Sequence, residues 1–183
     1  MSLVRPAADA EPARWLLEAR ADWWDLVRFG PRGFEAYVRI SFDAAGGDEV
    51  ARRTALTVLA GHTSTPSAAY AAIWAGWTGS RPAPEAPRVD IPNRPMLLFT
   101  GPVQVLADAP ALAWHGVVLE SCVGPHLVWP QDRAWCVACE VDEELELTVG
   151  CSRVAAGALA DAMPSAVRPA AYGEAAPLYR DHG

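Results

Sequence analysis

The chain has 183 residues, a net charge of −7, 51% hydrophobic residues and 20% charged ones, so its length and composition fit one globular domain over residues 1–183. The negative charge disfavours nucleic acid as a partner, because phosphate binding needs clustered cations. The sequence has no lysine and no glycine-rich phosphate-binding motif, which excludes Schiff-base chemistry and pyridoxal phosphate attachment, and we expect no cofactor.

The first half of the chain is predicted to be mostly helical. Apolar residues at three-to-four spacing predict a helix over 12–28, and strict alternation of apolar and polar residues predicts a strand over 34–42. A second helix is expected over 48–60. Pro66, a residue that suits the first turn of a helix, predicts a third helix over 66–76.

The second half is predicted to be mostly strands. Five prolines make 79–95 an extended surface connector, and the Ala/Pro-rich stretch 164–183 is expected to be an irregular tail. The sequence pattern of residues 107–125 fits a helix and a strand equally well. The remaining predicted elements are strands over 96–100, 126–129, 134–141 and 145–149 and a last helix over 153–162.

These elements predict an α+β fold: a mostly antiparallel sheet of about five strands, with the helices packed on one side. The clean alternation of 34–42 indicates a strand with one solvated or partner-covered face. We interpret 79–95 as a loop inside a single domain, because neither half of the chain is expected to fold alone.

The spacing Cys136-x-x-Cys139 raises the hypothesis of a zinc site or a redox couple. Both need the two sulfurs on the same side, in a tight turn or at the start of a helix. Here the pair lies in a predicted strand, whose successive side chains alternate between opposite faces. We therefore predict that the sulfurs diverge and that no metal is bound, either by this pair or by a broader set with Cys122 and His126.

Cys151 and Ser152 follow Gly150 at the predicted start of the last helix. Backbone amides and the positive helix end can bind an anion there, which makes Ser152 and Arg153 candidate anion-binding residues. The same environment can lower the pKa of the Cys151 thiol and make it a candidate catalytic nucleophile. The simpler interpretation is that Gly150 permits the turn and Ser152 caps the helix.

The segment WPQDRAW, residues 129–135, suggests a ligand site in a chain that has eight tryptophans. Trp129 and Trp135 flank an adjacent carboxylate and guanidinium, Asp132 and Arg133. An aromatic wall beside a fixed charge pair can hold a small ligand or a peptide, and we predict these four residues as the binding site. The structural alternative is a turn that begins at a proline and is closed by a local ion pair, with both tryptophans in the core.

Residues 126–152 read HLVWPQDRAWCVACEVDEELELTVGCS, and residues 61–77 upstream read GHTSTPSAAYAAIWAGW. Together they resemble a group of uncharacterised proteins from high-GC actinobacteria. In that group a W-P-x-D-R-A-W-type strand leads into a hairpin and then a glycine-containing turn. The resemblance covers about half of the chain. It implies a cytoplasmic bacterial setting and a strand over 133–141, but no activity, cofactor or catalytic residue.

The lack of any complete catalytic constellation favours a non-enzymatic cytoplasmic protein that binds a partner protein or a small molecule. One alternative is a small enzyme that uses Cys151 on an anionic or acyl substrate, and another is an immunity-type or self-associating protein, such as a homodimer. No apolar run reaches the roughly 18 residues of a membrane span, and the N-terminus has no signal-peptide core, so we expect no membrane association. Four cysteines without such a signal are typical of reduced thiols in the cytoplasm.

Overall fold

The structure is a computed structural model, and it describes residues 3–78, 85–108, 110–115 and 124–181. Nine strands in this part of the chain form one sheet, and each observed pairing is antiparallel. The strands are Arg5–Pro6 (β1), Ala36–Ser41 (β2), Ala69–Trp74 (β3), Arg88–Val89 (β4), Met96–Gly101 (β5), Leu127–Pro130 (β6), Cys136–Ala138 (β7), Glu146–Cys151 (β8) and Val167–Ala170 (β9). Their order in the sheet is β1-β5-β3-β6-β7-β8-β2-β9, and β4 also pairs with β5.

Six α-helices and four short 3₁₀ turns accompany the sheet in the described residues. The α-helices are Arg14–Glu18 (α1), Trp23–Phe29 (α2), Phe42–Ala45 (α3), Asp48–Leu59 (α4), Val103–Asp108 (α5) and Arg153–Ala162 (α6). The 3₁₀ turns are Glu11–Ala13, Ala60–His62, Ala75–Thr78 and Ala111–His115. None of the helices in the described part of the chain is long and apolar enough to cross a membrane.

The α+β class and the mostly antiparallel sheet are confirmed, but the sheet has nine strands rather than about five. All five predicted strands are present, and the helices predicted over 48–60 and 153–162 are α4 and α6. Residues 109 and 116–123 of the ambiguous stretch 107–125 lie outside the described residues.

Helices cover both faces of the sheet. One core cluster, on the side of α4, α5 and α6, takes every second strand residue, for example Val137 and Leu147. The other cluster, on the side of α1 and α2, takes the alternate residues, for example Cys136 and Trp129. The prediction that all helices pack on one side is therefore wrong for 12–28, because the alternate residues of the central strands are apolar and also need cover.

Residues 66–76 contain a strand, β3, instead of the predicted helix. This strand lies between β5 and β6 and is buried on both faces: Ala71 and Ile73 enter one core cluster and Ala72 enters the other. A doubly buried strand shows no alternation of polar and apolar residues, so its pattern is not distinguished from that of a buried helix.

The helix predicted over 12–28 is divided into α1 and α2. Arg20 follows α1 in the left-handed backbone region, with φ 48°, which ends the helix. Asp22 then begins α2, because its Oδ1 accepts a hydrogen bond from the backbone N–H of Trp24. The apolar stripe continues across this break, which is why periodicity alone predicts one helix.

Three of the strands that the sequence did not predict are short edge strands. The connector 79–95 contributes β4 and buries Val89 and Ile91, so it is not wholly a surface segment, and 79–84 lies outside the described residues. The tail 164–183 contributes β9, which pairs with β2. Strands of two to four residues are too short to show a period of two.

Candidate functional site

Trp129 and Trp135 do not form the two walls of an open site. Both are buried, and they lie on opposite faces of the sheet, because one belongs to each core cluster. Trp135 donates a hydrogen bond from Nε1 to the carbonyl of Leu59, 2.9 Å away, and Trp129 packs against Trp15 and Tyr70. For these two side chains the structural alternative, burial in the core, describes what is found.

Asp132 fastens the turn after β6 to the loop before β3. Its Oδ1 accepts from Thr63 Oγ1 at 2.7 Å and from the N–H of Ala134 at 3.1 Å. Its Oδ2 accepts from the N–H and the hydroxyl of Ser64, at 2.7 and 2.8 Å. The N–H of Asp132 itself donates to Thr65 Oγ1. Both carboxylate oxygens are therefore engaged by the chain.

These hydrogen bonds also set the protonation of Asp132. Burial acts to raise its pKa, but the bonds from Thr63, Ser64 and Ala134 outweigh burial and hold the pKa below its ordinary value. The carboxylate is ionised at neutral pH and serves as a structural acceptor.

Arg133 does not close the turn with Asp132, because no ion pair joins the two among the described residues. Its side chain is exposed, and its guanidinium lies over the ring of Trp15, 5.3 Å from the centroid. Its backbone is in the left-handed region, with φ 59°, and its N–H donates to the carbonyl of Pro130. Arg133 is thus held by its backbone and by an indole.

A pocket of about 310 Å³ opens beside Arg133, and we call it the Arg133 pocket. It lies at the end of the sheet where β2 and β7 begin and β8 ends, as the register pairs Ala36↔Cys151 and Cys136↔Gly150 place these ends together. Its lining comes from four segments that are distant in sequence: Trp15, residues 32–35, residues 133–134 and residues 151–152.

The other charged residues of the Arg133 pocket are held in place by the chain behind them. The Arg32 guanidinium lies 4.5 Å from the centroid of the Tyr172 ring, and its Nη2 is 3.8 Å from an oxygen of Asp25. Glu35 Oε2 accepts a hydrogen bond of 3.0 Å from the backbone N–H of Arg153. The pocket is therefore lined by two arginines and one glutamate, each of which also contacts another part of the chain.

The predicted anion site at Ser152 and Arg153 is occupied by the chain itself. Ser152 caps α6, because its Oγ accepts from the N–H of Ala155, and the N–H of Arg153 is bound by Glu35. The negative group at this helix end is Glu35 of the chain itself, which the sequence did not indicate. Only the β2–β8 register, with Ala36 opposite Cys151, brings Glu35 to this place.

The environment of Cys151 is opposite to what a nucleophile needs. Cys151 is the last residue of β8, its side chain is buried, and burial, with the charge of Glu35 nearby, raises the pKa of its thiol to about 11. Cys136 and Cys139 lie in opposite core clusters, as predicted from the strand period. His126 accepts at Nδ1 from the N–H of Trp74, and Cys122 lies outside the described residues.

A second arginine–tryptophan cluster lies elsewhere in the fold. Arg94 lies over the rings of Trp23 and Trp74, 5.9 and 5.6 Å from their centroids. Its Nε donates to Glu140 Oε1 at 2.5 Å, and its Nη2 donates to Asp142 at 3.4 Å. The Glu140 side chain is 0% exposed and its other oxygen accepts from the N–H of Asp142. This guanidinium is satisfied by the chain's own carboxylates.

Comparisons with known proteins do not add to this geometry. No protein-family model, curated protein or solved structure matches the chain. The resemblance to actinobacterial proteins therefore stays a prediction.

Proposed function

We propose that the chain is a non-enzymatic binding protein that holds a small ligand, or an exposed segment of a partner, in the Arg133 pocket through an anionic group. One observation carries the proposal: two arginines, Arg32 and Arg133, line one pocket together with Trp15 at the end of the central strands. Ligand sites are typically concave, partly aromatic and provided with a few well-placed polar groups.

The charges favour an anionic group on the ligand. Arg32 and Arg133 are exposed, and the planar guanidinium forms paired hydrogen bonds with a carboxylate or a phosphate. They stand on a chain whose net charge is −7, so the pocket is locally positive on an acidic molecule. A volume of about 310 Å³ suits a small molecule or a single side chain of a partner.

The backbone of Arg133 supports the same proposal. A non-glycine residue in the left-handed region costs on the order of 1 kcal/mol, and glycine or asparagine would occupy φ 59° with less strain. Residues held in such conformations are found preferentially at ligand-binding and catalytic sites. Here the strained position carries the guanidinium that lines the pocket.

The alternative enzyme with Cys151 as nucleophile is not supported by this environment, because its thiol is buried and its pKa is raised. A self-associating or immunity-type role has no specific observation in its favour. Cys136, Cys139 and Cys151 are free thiols, which suits the cytoplasmic setting that we propose.

Calorimetric titration with 3-phenylpropionate tests the proposal, because this probe carries one carboxylate and one aromatic ring. We expect the wild type to bind it with a roughly millimolar Kd, and Arg133→Gly to weaken binding about tenfold. Arg133→Gly should also unfold within about 1 kcal/mol of the wild type, since the loss of the stacking contact is offset by relief of backbone strain.

The matched control is Arg20→Gly. Arg20 is also an exposed arginine in the left-handed region, with φ 48°, but it does not line the pocket. This variant should bind the probe as the wild type does. Equal binding by the wild type and Arg133→Gly, or no binding by the wild type at all, would contradict the proposed function.

A further inference from the structure

We infer that the ligand of the Arg133 pocket is a zwitterion, a free amino acid with an apolar side chain, whose carboxylate meets Arg32 and Arg133 and whose ammonium group meets Glu35. The inference rests on the proposed binding function and specifies the ligand's chemistry. The inference concerns Glu35, because a ligand with only negative groups would have no group that pairs with this carboxylate.

Glu35 is exposed and lines the same pocket as the two arginines. Its Oε2 is fixed by the N–H of Arg153, and within the described hydrogen bonds Oε1 has no donor. A carboxylate can accept about four hydrogen bonds, so the side chain is anchored and still able to accept from an ammonium group.

The two signs of charge are separated inside the pocket. No ion pair joins Glu35 to Arg32 or Arg133 among the described residues, so neither guanidinium lies within 4.0 Å of its oxygens. Opposite charges that share a small pocket without neutralising each other leave room for a ligand that bridges them. A free amino acid carries its carboxylate and ammonium group on one carbon, which suits this separation.

The charges also discriminate against simpler ligands. An anion without an ammonium group is attracted by the two arginines but repelled by Glu35, and a cation without a carboxylate meets two guanidinium groups. A zwitterion pairs with both, and each pair is a charge-assisted hydrogen bond. Selectivity therefore arises from the combination of Arg32, Arg133 and Glu35.

The aromatic lining indicates an apolar side chain on the ligand. Trp15 and Phe34 line the pocket edge to face, with ring centroids 6.4 Å apart and an interplanar angle of 82°. Such rings bind an aliphatic or aromatic group. The volume of about 310 Å³ lies at the lower end of the range for ligand pockets, which favours a single amino acid over a longer peptide.

Three probes with the same ring separate the charges. L-phenylalanine carries both groups, 3-phenylpropionate lacks the ammonium group, and phenethylamine lacks the carboxylate. By calorimetry on the wild type, we expect L-phenylalanine to bind about tenfold more tightly than 3-phenylpropionate and phenethylamine to bind most weakly. N-acetylphenylalanine, in which the ammonium group is replaced by an amide, should bind no better than 3-phenylpropionate.

The variant Glu35→Gln tests whether Glu35 is the residue that contacts the ammonium group of the ligand. The glutamine side chain keeps a carbonyl oxygen that can accept from the N–H of Arg153, so the start of α6 stays capped. We expect this variant to lose the preference for L-phenylalanine and to bind 3-phenylpropionate at least as well as the wild type does. Arg20→Gly should keep the full preference.

The outcomes separate the inference from the proposed function. If the wild type binds 3-phenylpropionate as tightly as L-phenylalanine, or if Glu35→Gln weakens both equally, the zwitterion inference is wrong and the proposed binding of an anionic group stands. If none of the probes binds to the wild type, the proposed function itself fails. Because N-acetylphenylalanine tests the ammonium contact on the wild type, the result does not depend on the folding of any variant.

Discussion

Arg94 and Arg133 are both stacked on tryptophan rings, yet their surroundings differ. The Arg94 side chain is 19% exposed and binds the fully buried carboxylate of Glu140. Arg133 is exposed, and the nearest carboxylate in sequence, Asp132, is engaged by the loop before β3. Stacking on an indole positions both guanidinium groups, but only Arg94 has its charge compensated by the chain.

This difference distinguishes a structural cluster from the binding site that we propose, which has the same residue types. In the Arg94 cluster, Glu140 and Asp142 already supply the carboxylates that pair with the guanidinium group. In the Arg133 pocket, Arg32, Arg133 and Glu35 contact Tyr172, Trp15 and the backbone N–H of Arg153, respectively, and none of the three is paired with another inside the pocket. Stability should therefore depend on Arg94, and binding on Arg133.

The largest effect on stability is expected at Glu140. Glu140→Gln removes the buried carboxylate that Arg94 binds and leaves this arginine only the longer contact to the exposed Asp142, which should lower the free energy of unfolding by about 3 kcal/mol in urea denaturation. Glu49→Gln is the matched control, because its pair with Arg53 is half exposed, and it should cost at most about 0.5 kcal/mol. Equal costs for the two variants would show that the Glu140–Arg94 pair does not have the structural role described here.

A smaller effect is expected at Asp132. Asp132→Ala removes the acceptors for Thr63, Ser64 and Ala134 and should lower the free energy of unfolding by about 1–2 kcal/mol. The folded-state pKa of Asp132 lies below its ordinary value, so its contribution is present above that ordinary value and is lost as the pH falls through the folded-state pKa. The cost of Asp132→Ala, measured by denaturation, should therefore shrink on acidification. A cost that stays constant or grows toward low pH would show that this carboxylate is not the structural acceptor described here.

The smallest effect is expected from alkylating reagents, because the buried thiols of the described residues should not react in the native protein. Cys139 and Cys151 are buried with pKa values raised to about 11, and burial raises that of Cys136 further. With iodoacetamide at pH 8, peptide mapping should find these three cysteines unmodified until urea is added. Rapid native modification of Cys151 alone would restore the enzyme hypothesis and add a reactive group to the Arg133 pocket.

The sequence predicts the features that local residues determine. Ser152 caps α6 as expected, because a serine before an apolar helical stripe acts within one turn. The opposite directions of Cys136 and Cys139 also follow from the strand period alone. The helix predicted over 66–76 fails for the converse reason: only its place between two other strands makes the segment β3.

The candidate site was predicted only in part, since its members meet through long-range pairing. Of the four residues predicted from the sequence, Arg133 lines the pocket, whereas Asp132 binds Ser64, 68 residues away. The local ion pair of the structural alternative is not found among the described residues. Glu35 and Arg32 reach the pocket because β2 pairs with β8, and no motif in the sequence predicts that register. Trp15 enters from the opposite end of the chain.

The most direct test of the central claim is to map where a ligand binds. In a ¹H–¹⁵N NMR titration with L-phenylalanine, shifts should concentrate on the Trp15 indole N–H and on the backbone N–H groups of Gly33, Glu35, Arg133 and Ser152. The same titration of Arg133→Gly should lose these shifts, and that of Arg20→Gly should keep them. Shifts that cluster elsewhere, such as around Arg94, or that persist in Arg133→Gly would contradict the assignment of the Arg133 pocket as the binding site.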